Sequence, residues 1–400
     1  MEFRPGYVKK NTLRVLTITL FLLVSVTAYS DDGDEVIIGR KIKLQSAILQ
    51  KEIQISVHVP ANSSNSPVRY PVLYIFQAHF EQVVGAVKNL YDYSLVPEMM
   101  VVRIDNYEFG YLTPTAIADD PNSGKADEFL DFFEKELQPF VDSGYRTHPY
   151  RMVFSNSWGA MFVAYAILSR PASFNAGIAS IPWIMYDGDD RFILKSVGRY
   201  LERRDYNNFL YLTMDKELDE LPDFPAFIEI LREKPVPGLD WEYHNWPEED
   251  HTSTPYRSIY TGLRALYSDW SRIPEEVIAK GLTGIKRHEI TLNEQFGYDI
   301  GVSGVALRLA AQTLQKQSEH KAAIEIYEYA TEREPDNAFA FVSLGRALEA
   351  DGQLERARDA YESAYRIGES TSHPQIKWIK NFVDNINTKI GASSPGDGRP

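Results

Sequence analysis

The chain has 400 residues, of which 44% are hydrophobic and 24% are charged, and its formal net charge is −14. This composition excludes an intrinsically disordered chain, and the negative charge disfavours nucleic acid and anionic lipid as partners. Because the chain contains no cysteine, disulfides, thiolate metal sites and cysteine nucleophiles are excluded as well. The length predicts two domains.

Residues 1–30 have the pattern of a secretory signal peptide. Basic residues at positions 4, 9, 10 and 14 precede or border the apolar run "VLTITLFLLVSVTAY", and Ala28 and Ser30 offer small residues at its end. The run is too short for the roughly 20 apolar residues that a membrane-spanning helix needs. Cleavage after about Ser30 predicts a periplasmic or secreted protein. An uncleaved membrane anchor is the alternative.

Residues 31–270 are expected to form one domain in which short β-rich runs alternate with helical runs. The first two β-rich runs favour an antiparallel pair, and helical runs such as "ADEFLDFFEKELQPFV" separate several of the later ones. Helices between strands indicate crossover connections and a mostly parallel sheet, so the predicted class is α/β. The β-rich runs are "KIKLQSAI", "EIQISVHVP", "PVLYIF", "MMVVRI", "YRMVFS", "AGIASI", "NFLYLT" and "WEYHNW".

A candidate nucleophile, Ser157, follows the run "YRMVFS" and precedes the helical run "WGAMFVAYAILSR". A nucleophilic serine on a sharp turn between strand and helix needs small residues two positions to either side. Ser155 and Gly159 meet that requirement, with serine in place of one glycine. The alternative is a serine that only caps the helix.

Candidate partners for this serine follow later in the chain. The segment "FLYLTMDKELDEL" ends a predicted strand and offers Asp215, Glu217 and Asp219, any of which could orient a histidine. His251 lies in a turn-rich segment between the last predicted strand and a helix. Nucleophile, acid and histidine in this chain order are typical of serine hydrolases of the α/β class. A solvent-exposed loop histidine is the alternative for His251.

Beyond Trp270 the pattern becomes almost purely helical. Residues 271–300 have weak periodicity and are expected to form a linker, and residues 301–390 contain pairs of similar residues 34 positions apart, such as Tyr327 and Tyr361. This spacing resembles that of the tetratricopeptide repeat, and the run "PQIKWIKNFVDNINTK" is expected to cap the repeats. Residues 391–400 are expected to be a disordered tail.

The segments "YPVLYIFQAHFEQVVGAV", "YRMVFSNSWGAMFVAYAILSRPASFNAGIASIPWI" and "EDHTSTPYRSIYTGLRALY" resemble the esterase family of α/β hydrolases that includes esterase D and the siderophore esterases of enterobactin metabolism. The likeness covers roughly residues 40–270, and the helical tail resembles an extension on bacterial members of that group. The resemblance implies an α/β-hydrolase fold followed by a small all-α domain of tetratricopeptide type. It also implies a serine esterase.

Carried over residue by residue, the resemblance implies Ser157 as the nucleophile, His251 as general base and acid, and Glu217 as the third member of the triad. The backbone N–H of Trp158 would supply one oxyanion donor, and the loop near Gln77 or Ala78 would supply the second.

This chain departs from the family in three segments. The residue pair before the nucleophile is Ser155-Asn156 where the family has Gly-His, and the loop after "YIF" is short. The segment "IDNYEFGYLTP" lacks the arginine that the family often has there. Since nothing obvious replaces that charge, the sequence argues against a highly anionic substrate.

Aromatic residues are expected to line the substrate pocket. Tyr107, Phe109 and Tyr111 stand where the family often has arginine and aspartate, and Trp158 and Trp183 lie near other site segments. Together they favour a pocket for an apolar or aromatic acyl or alcohol group; ordinary core or rim aromatics are the alternative.

The leading hypothesis is therefore a carboxylic-ester hydrolase that acts on a small-molecule ester and needs no metal or other cofactor. His58, His79 and His244 share no metal-like spacing with nearby acids and are expected to be structural. The alternative hypothesis is a catalytically weak scaffolding protein whose helical repeats recruit a protein partner.

Overall fold

A computed structural model describes residues 36–60, 68–117, 120–184, 192–203, 205–216 and 223–393. The predicted signal peptide lies outside these residues. In the described part of the chain, no helix is both long and apolar enough to cross a membrane. The described residues from Ile38 onward fall within a single compact unit.

The central sheet has eight strands in the order β1-β2-β4-β3-β5-β6-β7-β8. β1 pairs antiparallel with β2, and β2 pairs antiparallel with β4. All the other neighbours are parallel. The predicted α/β class and the opening antiparallel pair are both confirmed. The strands are β1 Arg40–Ser46, β2 Lys51–His58, β3 Tyr70–Ile75, β4 Met100–Ile104, β5 Thr147–Asn156, β6 Ala176–Ser180, β7 Asn208–Met214 and β8 Leu239–Asn245.

Helices cover both faces of this sheet. Side chains alternate along each strand, so that in β3 Leu73 joins the apolar cluster that includes residues of α1 and α7, while Val72 joins the cluster on the opposite face. The helices are α1 Phe80–Asp92, α2 Ala126–Phe132, α3 Gln138–Gly144, α4 Trp158–Ser169, α5 Phe192–Tyr200, α6 Asp223–Glu233, α7 Thr254–Leu266, α8 Ser268–Ser271, α9 Glu275–Ile278, α10 Gly281–Phe296, α11 Gly304–Lys316, α12 His320–Arg333, α13 Ala338–Ala350, α14 Leu354–Ser370 and α15 Ile376–Ser393.

The segment expected to be a linker is helical for most of its length, because α9 and α10 occupy it. Ile285, Leu292 and Phe296 are buried along one side of α10. Phe296 stacks on Tyr267 with ring centroids 5.0 Å apart. The spacing of these apolar residues is that of one helix face, but the many polar residues between them make the helical periodicity weak in the sequence.

The 34-residue repeat corresponds to two helical hairpins, α11–α12 and α13–α14. The Tyr327 hydroxyl donates a hydrogen bond to Gln315 Oε1 at 3.0 Å, and the Tyr361 hydroxyl donates to Glu349 Oε2 at 2.7 Å. The two tyrosines are 34 residues apart, and so are their acceptors Gln315 and Glu349. Each hairpin therefore has an equivalent hydrogen bond between its two helices. The structural equivalence explains the spacing of the tyrosines.

The last helix, α15, packs where a capping helix was expected. Phe382 of α15 stacks on Tyr361 of α14 at 5.1 Å between ring centroids. This helix continues to Ser393. The first three residues of the predicted disordered tail are therefore helical, and residues 394–400 lie outside the described part of the chain.

Candidate active site

Ser157 is the single residue between the end of β5 and the start of α4. Its backbone has φ 55° and ψ −122°, a conformation that costs a non-glycine residue about 1–3 kcal/mol and is concentrated at functional sites. The Ser157 N–H donates to the Ser180 carbonyl of β6 at 2.8 Å. Ser157 occupies the N-cap position of α4, yet its side chain makes no capping hydrogen bond. The hydroxyl is therefore not used to stabilise the helix.

The small residues around Ser157 are required by close contact across the turn. A Cβ atom on Gly159 would lie 2.0 Å from Ser155 Oγ and 2.9 Å from the Phe76 ring. Ser155 itself is held in place, because its hydroxyl donates to the Phe76 carbonyl at 2.6 Å. Serine is therefore tolerated in place of the usual glycine at position 155, because its hydroxyl bonds to the backbone just after β3. At position 159 a side chain larger than that of glycine would clash with Ser155 and Phe76.

Gly159→Ala is expected to lower the free energy of unfolding by about 1–3 kcal/mol, because a methyl group is forced into a filled space. Gly85→Ala is the matched control, since a Cβ there meets no atom within 4 Å. In the interior of α1 that change should stabilise the protein by up to about 1 kcal/mol. Urea unfolding of both variants measures the difference. Equal stability of the Gly159→Ala variant and the parent would contradict the close contact.

The loop after β3 is tied to the serine turn through Gln77. Gln77 has φ 49°, and its side-chain oxygen accepts a hydrogen bond from the Gly159 N–H at 2.7 Å. The Tyr107 hydroxyl lies beside the same loop, because it accepts a hydrogen bond from the Gln77 backbone. Burial raises the pKa of Tyr107, and the charge of Arg103 and this hydrogen bond oppose that rise. The two segments expected to carry oxyanion donors are therefore neighbours in space.

His251 lies in the loop between β8 and α7. The carboxylate of the preceding Asp250 organises this loop by accepting hydrogen bonds from the Thr252 hydroxyl at 2.6 Å and from the N–H groups of Thr252 and Ser253 at 2.9 and 3.1 Å. These bonds, the one from the Thr252 hydroxyl above all, lower the pKa of Asp250 to about 2. Asp250 therefore stays ionised across the neutral pH range, and the loop keeps its shape there.

Buried hydroxyl groups fix α7, and with it the His251 loop, against the sheet. The Ser258 hydroxyl lies 2.7 Å from the Thr213 hydroxyl of β7 and 3.1 Å from the Ser180 hydroxyl of β6. The backbone carbonyl of the same Ser180 accepts the hydrogen bond from the Ser157 N–H. A short chain of hydrogen bonds thus joins the helix behind His251 to the turn of Ser157.

Of the three candidate acids, the structure describes only Asp215. It follows β7 directly, and it is fully buried. The Thr254 hydroxyl, at the start of α7, donates to Asp215 Oδ2 at 3.4 Å. Glu217 and Asp219 lie outside the described residues.

A cavity of about 500 Å³ opens beside His251. It lies between α1 and α7 at the carboxyl ends of the strands, and its wall includes Gln77 and Ala78 of the loop after β3. The sequence reasoning missed several polar residues of this wall, Arg103 and Asn156 among them. The lining residues are Gln77, Ala78, His79, Gln82, Val83, Arg103, Phe154, Asn156, His251, Thr252, Pro255, Tyr256 and Ile259.

Arg103 corrects the expectation that no positive charge replaces the arginine missing from "IDNYEFGYLTP". It lies in β4, within a run that the sequence presents as an ordinary core strand. Val101 and Arg103 share one face of the strand, and Val101 belongs to the apolar cluster on the α1 and α7 side. The charge comes to the site from the sheet, whereas the sequence analysis looked for it in the following loop.

A row of aromatic rings runs past the serine turn. Phe109 and Trp158 are 4.7 Å apart between ring centroids, Trp158 and Trp183 are 6.0 Å apart, and Trp183 and His251 are 6.4 Å apart. Three of the five predicted pocket aromatics are thus brought together with the histidine. This aromatic row, Phe109, Trp158 and Trp183, gives the site an apolar side.

The other two predicted pocket residues are placed differently. Tyr111 is 3% exposed and stacks on Phe129 at 5.5 Å, so it belongs to the core. Its neighbour Phe109 is 41% exposed, because the two residues point to opposite sides of a short 3₁₀ turn, Phe109–Leu112. Tyr107 packs on Phe76 at 6.0 Å and contacts the oxyanion loop. Sequence spacing alone could not separate these roles.

The described residues contain no group of three histidine, aspartate or glutamate side chains that could hold a metal ion. His244, expected to be structural, pairs with Glu242 at 3.1 Å on β8. His58 makes a 2.6 Å hydrogen bond with the Ile38 carbonyl. His79 lies on the cavity wall.

Parts of the chain are similar to known proteins. Residues 46–208 match the family model described as "Putative esterase". This segment is therefore similar to that esterase family. The chain is 32% identical to the ferri-bacillibactin esterase BesA of Bacillus subtilis over 89 residues. These 89 residues are 22% of this chain and 30% of that protein. The matched region thus spans less than a third of this relative.

Solved structures extend the likeness beyond the esterase segment at the level of the fold. An IroE-like serine hydrolase from Shewanella oneidensis has a TM-score of 0.63 and 21% identity, over 74% of this chain and 99% of that chain. An uncharacterised protein from Capnocytophaga ochracea has a TM-score of 0.61 and 14% identity, over 88% of this chain and 99% of that chain. The α/β-hydrolase fold is therefore confirmed.

Proposed function

We propose that the protein is a serine hydrolase that cleaves carboxylic esters through an acyl-enzyme on Ser157. The observation that carries this proposal is the strained backbone of Ser157, at φ 55° between β5 and α4, with a hydroxyl that does not cap the helix. The esterase-family match over residues 46–208 supports the same conclusion.

In the proposed reaction Ser157 Oγ attacks the ester carbonyl carbon while His251 removes the hydroxyl proton. Backbone N–H groups of Trp158 and of Gln77 or Ala78 stabilise the oxyanion of the tetrahedral intermediate. The intermediate collapses, and His251 returns the proton to the departing alkoxide. Water, deprotonated by His251, then attacks the acyl-serine and releases the carboxylic acid.

A fluorophosphonate probe tests the nucleophile directly, because it reacts with activated serine hydroxyls. We expect intact-mass analysis to show one probe adduct and peptide mapping to find it on Ser157. An adduct on another serine, or no adduct on a folded protein that also turns over no ester, would contradict the proposal.

The third member of the proposed triad is Glu217. We expect Glu217→Gln to lower kcat about 100- to 10,000-fold, because the histidine loses the group that holds its tautomer and stabilises its charge. Asp219→Asn should change kcat less than about threefold, and Asp215→Asn should mainly lower the melting temperature, since Asp215 is fully buried. If Asp215→Asn instead causes the large loss of kcat in a stable protein, Asp215 is the acid.

For the helical tail we propose a structural role in place of a scaffolding one. The apolar cluster that includes α1 and α7 continues into α10–α14, and the Ser303 N–H donates to the Trp270 carbonyl at 3.0 Å. Recruitment of a protein partner remains a prediction of the repeat pattern. Export to the periplasm or medium remains a prediction of residues 1–30.

A further inference from the structure

The cavity beside His251 has a polar inner wall that the proposed acyl transfer does not use. Arg103 and Asn156 line it, together with Gln82 from α1. The catalytic steps need a nucleophile, a base and oxyanion donors, and none of these three side chains supplies one. Their presence in the wall therefore calls for a role in binding.

Arg103 presents an incompletely satisfied positive charge to the cavity. Its Nε is buried and has no hydrogen-bond partner among the described residues. The nearest acid is Asp105, whose Oδ1 is 3.6 Å from Nε, which is too long for a hydrogen bond. The other oxygen of Asp105 accepts bonds from the Ser56 hydroxyl at 2.8 Å and from Gln54 Nε2 at 3.2 Å. Asp105 therefore orients the guanidinium from the Nε side, while the Arg103 side chain as a whole is 33% exposed and lines the cavity.

Asn156 is the lining residue that connects this wall to the proposed nucleophile. It is 9% exposed, and its Oδ1 is buried without a hydrogen-bond partner in the described part of the chain, so a ligand in the cavity does not reach that oxygen. Because Asn156 lines the cavity and directly precedes Ser157, a group bound beside Arg103 would belong to the same substrate as the reacting ester.

The charge of the lining selects the chemical class of this ligand. Arg103 is permanently charged, and the cavity wall contains no carboxylate among the described residues. Although the chain as a whole has a net charge of −14, the positive charge of Arg103 is not matched by an acidic residue in the described part of the cavity wall. The cavity therefore favours a ligand with an anionic group. A guanidinium binds a carboxylate with two parallel hydrogen bonds. One arginine suits a monoanion better than a phosphate dianion.

Resting on the esterase function proposed above, we propose that the substrate is an ester whose alcohol half carries a carboxylate, bound by Arg103. The alcohol half is assigned to the cavity because His251, which protonates the leaving alkoxide, lies in its wall. The acyl half then lies along the aromatic row of Phe109, Trp158 and Trp183.

Two matched esters test this assignment: 3-benzoyloxy-2-hydroxypropanoate and its primary amide, which differ only in the charge of the alcohol half. We expect the parent enzyme to have a kcat/KM about tenfold or more higher for the carboxylate. Arg103→Gln should lower kcat/KM for the carboxylate about 10- to 100-fold and change that for the amide less than about threefold. Arg103→Lys should retain part of the preference. Benzoate release is measured by chromatography.

Arg264→Gln is the control, because Arg264 is an exposed arginine of α7 outside the cavity lining, and it should keep the full preference. Equal kcat/KM values for the two esters, or an equal loss for both in the Arg103→Gln variant, would overturn the carboxylate assignment and leave the esterase function standing.

Calorimetric titration of the Ser157→Ala variant with the carboxylate ester separates binding from catalysis. Adding Arg103→Gln to that variant should weaken binding at least about tenfold. If the parent hydrolyses neither ester but the titration depends on Arg103, the esterase proposal fails and the anion site stands. Affinity that does not depend on Arg103 overturns the anion site.

Discussion

Replacing Ser157 with alanine is expected to lower kcat for ester hydrolysis about ten-thousand-fold or more, because no acyl-enzyme can form. The residual rate would come from substrate binding and the oxyanion donors alone. The Michaelis constant should change little, since the hydroxyl makes no capping bond and its removal leaves the turn in place. Steady-state hydrolysis of a simple aryl ester measures both constants.

Ser155→Ala is the matched control for this experiment. Ser155 lies two residues before Ser157 and donates its hydroxyl to the Phe76 carbonyl, so its loss should lower the free energy of unfolding by about 1–3 kcal/mol. The variant should still react with a fluorophosphonate. If Ser155→Ala abolishes labelling while Ser157→Ala retains it, the assignment of the nucleophile is wrong.

His251→Ala is the second change with a large expected effect, again about ten-thousand-fold on kcat. Without the imidazole, Ser157 has no base to take its proton, and the leaving alkoxide has no acid. The Asp250 carboxylate, with a pKa of about 2, should keep the loop ordered in the variant. Circular dichroism should therefore show an unchanged melting transition.

Added imidazole distinguishes a catalytic from a structural histidine. It should raise the rate of the His251→Ala variant in proportion to its neutral form, because free imidazole can enter the 500 Å³ cavity and act as the base. His244→Gln is the control: this histidine pairs with Glu242 on β8, and its variant should keep kcat within about twofold. Loss of activity without any response to imidazole would indicate a structural role for His251.

Local features of the candidate active site were predictable where one short segment of the sequence contains all the residues involved. The strand, Ser157 and the helix that follows are contiguous in the sequence. The small residues at positions 155 and 159 indicate that atoms in the turn are closely packed. The order of Ser157, the acidic segment and His251 was also visible, because chain order reflects the order of strand ends in this class.

The face of the sheet on which a side chain lies was not predictable. Arg103 alternates with apolar neighbours on β4, so the sequence presents it as part of a core strand, and only the packing of α1 and α7 against that face makes a cavity around it. The same limit explains Tyr111, which resembles Phe109 in sequence but is buried against Phe129.

The amino-acid sequence by itself determined the α/β class, the eight strand segments and the candidate nucleophile and histidine. These follow from apolar periodicity and turn chemistry, which act over a few residues. The tertiary structure decided that the segment 271–300 is mostly helical, that Phe109, Trp158 and Trp183 line up beside His251, and that Arg103 and Asn156 face one cavity. Those features depend on which element covers which face, and that choice is made by side-chain packing between residues distant in the chain.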